Sequence, residues 1–116
     1  ERIHERLTWN GGARNPRGTG LAAVDWEGRV KPDQFWGGEY IGSVRERPLS
    51  QIWTDPPEQL VRLRARSDNL TGRCSGCRFL GLCGGGLASR ALASGAGLEG
   101  SDPGCHLSDA EIAVAA

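Results

Sequence analysis

The chain has no methionine, a single lysine (Lys31), one tyrosine and two phenylalanines in 116 residues. It also has no excess of charge of either sign: 14 basic and 14 acidic residues give a formal net charge of zero. A nucleic-acid-binding domain carries a basic patch and a high isoelectric point, so this balance speaks against such a partner. No apolar run approaches the ~18 residues of a bilayer-spanning helix, which excludes a helical membrane anchor within these residues. No basic-then-apolar leader opens the sequence. With only His4 and His106 present, and no motif around either, no Ser–His–Asp set is suggested. The missing methionine predicts a segment of something longer. These absences together predict a cytoplasmic protein, where thiols stay reduced.

What the chain does have is 18 glycines, 6 prolines and 4 cysteines. So much Gly and Pro in one small domain predicts many turns and few long elements. A thin core of this kind leans on a metal or on disulfides, and a bound structural metal contributes about 10 kcal/mol or more of folding free energy.

Residues 1–9 read as the end of a helix from a preceding domain, with Ile3 and Leu7 four apart on one face. Asn10-Gly11-Gly12 stops it and a polar loop follows over 13–18. Leu21–Trp26 and Arg29–Trp36 read as a hairpin turned at Glu27-Gly28, with Pro32 marking the second strand as an edge or a break. Tyr40–Val44 adds a short strand. Pro48 opens a short helix with Leu49, Ile52 and Trp53. Asp55 and Glu58 have the spacing of a capping box for a helix running to about Arg66, with Leu60, Val61 and Leu63 facing inward. Leu87–Ala93 reads as a helix, and Ser108 with Glu111 as a second capping box. The expectation is a small metal-stabilised α+β domain over 10–116: an N-terminal β-hairpin, then short helices around a four-cysteine loop.

The cysteines carry the chemistry. Cys74-Ser75-Gly76-Cys77 places two sulfurs in one tight turn, Cys83 follows after five residues, and Cys105 returns after twenty-one more. Arg78–Leu82 carries the chain round so that Cys83 approaches from another side. Asp102-Pro103-Gly104 fixes a turn aiming Cys105 back at the loop, and Gly84-Gly85-Gly86 lets backbone sit close to a bulky centre. Such a quartet reads as the ligand set of one metal centre. Spacing alone leaves both an iron–sulfur cluster and a tetrahedral zinc open, although zinc sites more often pair two short spacings. Disulfides would need an oxidising compartment. His106, beside Cys105, reads as a neighbour of the site rather than a ligand.

The pattern Cys74–Cys77–Cys83–Cys105 resembles the SPASM domain, the C-terminal extension of many radical SAM enzymes. Val30-Lys31-Pro32, Ile41-Gly42-Ser43-Val44 through Ile52-Trp53, and Asp102-Pro103-Gly104-Cys105 are similar to its segments. Lys31–Trp36, Gly42–Pro48 and Gly72-Arg73-Cys74 look most like the subgroup of haem d1 biosynthesis and the didecarboxysiroheme deacetylases. The resemblance implies one auxiliary [4Fe-4S] cluster on the four cysteines and favours iron–sulfur over zinc. It also implies a radical SAM catalytic domain as partner and a tetrapyrrole, or otherwise a peptide, as substrate. S-adenosylmethionine would enter only through that partner, because C-x-x-x-C-x-x-C is absent here. Asp33 and Leu87 stand where two cysteines of a second auxiliary cluster fall in many members, so that cluster lacks its usual ligands. Gly86, Ala88 and Ala96-Gly97 replace polar or acidic residues common in the subgroup.

Other signals read as structural. Gly18-x-Gly20-x-x-Ala23 has the letters of a dinucleotide fingerprint but runs from a loop into a strand. The Gly84 triplet has no Lys-Ser/Thr partner, so it is not a phosphate loop, and the Asn69-Leu70-Thr71 sequon is idle in a reducing cytosol. Arg62, Arg66 and Arg73 read as a solvated basic face, or as a match for tetrapyrrole carboxylates. Trp26, Trp36 and Trp53 read as core.

Overall fold

The computed structural model describes residues 2–9 and 18–113. Its elements are α1 (Arg2–Trp9), β1 (Ala23–Val24), β2 (Arg29–Lys31), β3 (Gly42–Ser43), α2 (Leu49–Thr54), α3 (Glu58–Arg64), α4 (Leu80–Cys83), α5 (Ala88–Ala93) and α6 (Asp109–Ile112), with 3-10 turns at Arg66–Asp68 and Gly72–Gly76. This is the expected α+β arrangement of a small sheet followed by short helices. The expected stop at Asn10-Gly11-Gly12 and nearly all of the 13–18 loop lie outside the described residues.

The strands form one antiparallel sheet in the order β1-β2-β3, with Val24 opposite Val30 and Val30 opposite Gly42. They are much shorter than the sequence predicts, and two aspartates explain why. Asp25 Oδ1 accepts from the backbone N–H of Glu27 (2.9 Å) and Arg29 (3.0 Å), which bends the chain into a turn straight after Val24. Asp33 Oδ1 does the same for the N–H of Phe35 at 2.7 Å. Pro32 offers no N–H to the ladder, so β2 ends at Lys31 rather than at Trp36.

Pro48 caps α2 as expected, but Asp55 caps no helix. Pro56 forbids helical continuation at the residue before it, and Pro57 takes the cap position of α3 with extended backbone. Asp55 instead closes α2, its N–H donating to the Gln51 carbonyl at 2.8 Å, while its carboxylate stands in solvent 3.8 Å from Arg47. The Ser108 box does form: Ser108 Oγ accepts from Glu111 N–H (3.2 Å), and Glu111 Oε1 accepts from Ser108 N–H (2.9 Å).

The hydrophobic core comprises Val30, Trp36, Ile41, Ile52, Leu60, Leu63, Ala88 and Leu98. It joins the sheet, α2 and α3 to α5 and the segment after it. Trp36 is buried and donates its indole N–H to the Glu39 carbonyl at 2.9 Å. Trp53 packs half-buried against the core, with the Arg64 guanidinium 4.9 Å from its ring centroid. Two expectations fail here. Trp26 is 83% exposed at the hairpin tip, and Val61 is 50% exposed because only Leu60 and Leu63 share the inward stripe of α3.

Candidate metal centre

Three of the four cysteines come from one continuous stretch whose local geometry is set by backbone bonds. Cys74 lies in the Gly72–Gly76 turn, and the N–H of Cys77 donates to the Cys74 carbonyl at 3.2 Å. Cys77 Sγ then accepts the N–H of Phe79 at 3.4 Å, a backbone donor of the kind that tunes cluster sulfurs. The turn runs into α4, a single helical turn that the sequence reading treats as loop. Cys83 closes it, donating to the Phe79 carbonyl at 2.8 Å. Cys105 arrives separately, on a turn in which its N–H donates to the Asp102 carbonyl at 3.2 Å. All four thiols are free, and all four line one cavity of about 250 Å³ with Phe79, Leu80, Leu107, Arg90, Asp102 and His106 among its other walls. Cys105 is the exposed one; Cys74, Cys77 and Cys83 are half-buried.

The return segment is held at two residues: Ser101 ties it to the cysteine loop, and Asp102 ties it to the α5 region. Ser101 Oγ accepts the N–H of Cys74 (3.1 Å) and donates to the Thr71 carbonyl (2.8 Å). Asp102 is the stronger clamp. Its buried carboxylate accepts two bonds from the Arg90 guanidinium (2.8 and 2.6 Å), one from Leu87 N–H (2.8 Å) and one from Gly104 N–H (2.7 Å). Burial alone would push this carboxyl up, but Arg90 and the two backbone donors outweigh it and hold it below its ordinary value. The turn predicted for Asp102-Pro103-Gly104 therefore exists, with a far partner the sequence reading missed. A signal was present: Arg90 is the one charged residue in the neutral run 84–98.

Gly85 and Gly86 line the cavity, as expected of backbone close to a bulky centre, and they serve a second purpose as well. Gly85 and Gly86 have positive φ (93° and 70°), and a side chain on them would strike Leu70 and the Asp102 carboxylate respectively. They let the backbone pass against the clamp.

The three arginines do not make one solvated face. Arg62 is paired with Glu99 through two bonds of 2.8 and 2.6 Å. Arg66 is 1% exposed, donating to the carbonyls of Leu98 (2.7 Å) and Gly100 (2.9 Å). It lies beyond the end of α3, in the 3-10 turn, so the phase of the helix does not govern where it points. Arg73 reaches the Leu107 carbonyl (2.6 Å) and Asp109 (3.0 Å); Asp109, and then the neighbouring Cys105, raise its pKa above its ordinary value.

The donors fit a cluster. Four reduced thiols ring a space with backbone N–H and glycine in its walls. Among the described residues, no three His, Cys, Asp or Glu side chains are gathered closely enough to hold a metal ion without some movement. No helix among the described residues is long and apolar enough to cross a membrane.

Known proteins bear on the same segments. The chain is 39% identical over 107 residues to pre-heme d1 synthase of Dinoroseobacter shibae, covering 92% of this chain and 26% of that protein. It is 37% identical over 118 residues to Fe-coproporphyrin III synthase of Methanosarcina barkeri, covering 95% of this chain and 28% of that protein. The chain thus spans about a quarter of the length of the curated relatives it matches. No solved structure matches it. Residues 16–78 match the SPASM family, an iron–sulfur cluster-binding domain. With that match over more than half its length, and with two relatives aligned across nearly all of it, the chain belongs to the SPASM family.

Proposed function

We propose that Cys74, Cys77, Cys83 and Cys105 hold one [4Fe-4S] cluster, and that the domain serves a radical SAM enzyme acting on a haem-type tetrapyrrole. The observation that carries the first half is the convergence of all four free thiols on one cavity, within a family whose members bind iron–sulfur clusters. The family match ends at residue 78, so the roles of Cys83 and Cys105 rest on that cavity. The second half is supported by the relatives, both of which are named for haem-type products.

In this reading residues 10–116 are the cluster domain, and 1–9 end a helix of a preceding domain. The cluster would supply one-electron transfer, at a potential set by the hydrogen bonds to its sulfurs and by its exposure. The chain's own residues position the ligands. Phe79 N–H faces Cys77 Sγ, Ser101 fixes Cys74, and Asp102 with Arg90 fixes the turn that delivers Cys105. S-adenosylmethionine would bind to the catalytic partner only, since these residues hold no three-cysteine motif for it.

Anaerobic reconstitution with iron and sulfide tests the ligand set. The expected product carries about four irons and four sulfides per chain, with broad visible absorption. Each Cys→Ala variant should change iron content or spectrum. Uptake of one zinc per chain with no iron–sulfur chromophore would overturn the cluster, and unchanged loading of Cys83→Ala would overturn its assignment. For the substrate, the full-length protein should shift the absorption of an added iron porphyrin bearing propionates and leave a ribosomally made peptide unbound. Selective peptide binding would redirect the function to peptide modification.

A further inference from the structure

The four ligands are not equivalent. Cys74, Cys77 and Cys83 sit on one ten-residue stretch, half-buried, and each is tied locally: Cys74 N–H to Ser101 Oγ, Cys77 N–H to the Cys74 carbonyl, Cys83 N–H to the Phe79 carbonyl. Cys105 is exposed and stands on a separate turn, where its backbone N–H donates to the Asp102 carbonyl and the Arg73 guanidinium neighbours it. The residues on either side, Gly104 and His106, are exposed as well. Loss of an iron from a cubane is an oxidative event, and it starts where solvent and oxidant reach a metal–thiolate bond.

Resting on the cluster reading above, we infer that Cys105 holds the labile corner, so that one-electron oxidation releases the iron bound to it and frees this thiol alone. The step balances. A [4Fe-4S]²⁺ core gives a [3Fe-4S]⁺ core, one Fe²⁺ and one electron, and the electron reduces an outer-sphere one-electron oxidant such as ferricyanide to ferrocyanide. The Fe–S bond to Cys105 breaks, and the released thiolate keeps its electron pair. The other three thiolates remain on the three-iron core, which matches their common origin in 74–83. The domain would then lose one iron reversibly, with ferrous iron as the co-reactant that rebuilds the cubane.

The test needs no variant. The cluster-loaded chain is treated anaerobically with ferricyanide, and freed thiols are trapped with iodoacetamide, whose carbon bonds to sulfur as iodide leaves. The expected result is release of about one iron in four, an S = 1/2 three-iron spectrum, and the label on Cys105 alone by peptide mass. A second arm uses substitutions: Cys105→Ala should still assemble a three-iron cluster, whereas Cys77→Ala should not. Label spread over all four cysteines, or found first on Cys74, Cys77 or Cys83, would overturn the inference while leaving the cluster intact. A chain that takes up no cluster would overturn both.

Discussion

Cys74, Cys77 and Cys83 were legible from the sequence because short spacing imposes proximity whatever the rest of the chain does. Cys105 was legible through its Asp-Pro-Gly turn. Arg66, Ser101 and the Arg90–Asp102 pair were not, because each depends on how two distant segments dock. Asp102 offers a residue-scale prediction. Its folded-state pKa lies below the ordinary 3.8, so the ionised carboxylate contributes stability that is fully present above that value. That contribution is lost as pH falls below 3.8 through the depressed folded value. Asp102→Asn should destabilise the chain at neutral pH, and its stability should then fall less than the native chain's in that acid window. Asp102→Ala leaves the Leu87 and Gly104 N–H groups without their acceptor and should cost about 2–3 kcal/mol. The exposed Arg90 side of the pair adds little to that. Urea titrations of the three proteins between neutral pH and pH 3 check both; parallel pH profiles for native and Asn chains would refute the clamp.

At the scale of elements, prolines and caps were read correctly where one local rule acted alone. Pro48 and the Ser108 box are such cases. The reading failed where two rules competed: Asp55 has the spacing of a cap, but the two prolines after it move the start of α3 to Glu58. Strand lengths failed for a similar reason, since Asp25 and Asp33 side chains take backbone N–H groups that extension of the ladder would have used. This contrast predicts opposite outcomes for two look-alike substitutions. Ser108→Ala removes a formed cap and should cost about 1 kcal/mol, whereas Asp55→Ala removes only an exposed carboxylate and should stay within about 0.5 kcal/mol. Ile52→Ala, fully buried in α2 against the sheet, should cost about 2–5 kcal/mol. Equal losses for Ser108→Ala and Asp55→Ala in denaturant unfolding would contradict the assigned caps.

For the whole molecule, the sequence led to one expectation that the packing divides: a fold organised around its metal. The hydrophobic core holds no cysteine; it is built from the sheet, α2, α3, Ala88 and Leu98. The cysteine cavity is walled instead by the 74–83 stretch, Gly85, Gly86, Arg90 and the 102–107 return. Composition could not separate these two centres, because they interleave along the chain: Ala88 and Leu98 of the core fall between Gly86, Arg90 and Asp102 of the cavity. Arg66 and Asp102 bridge them, the one through the Leu98 and Gly86 carbonyls, the other through Arg90 and Leu87 of the α5 region. Metal binding then contributes folding free energy mainly to the second centre. Removing the cluster by anaerobic chelation should therefore leave amide protons of β2, α2 and α3 protected. Those of 72–83 and 101–112 should exchange faster, in a partial opening rather than a global one. Hydrogen exchange read by mass spectrometry on the loaded and stripped chain distinguishes the cases. Simultaneous loss of protection in α3 and in the cysteine loop would mean that the metal holds the entire fold, and that the eight-residue core named above cannot stand without it.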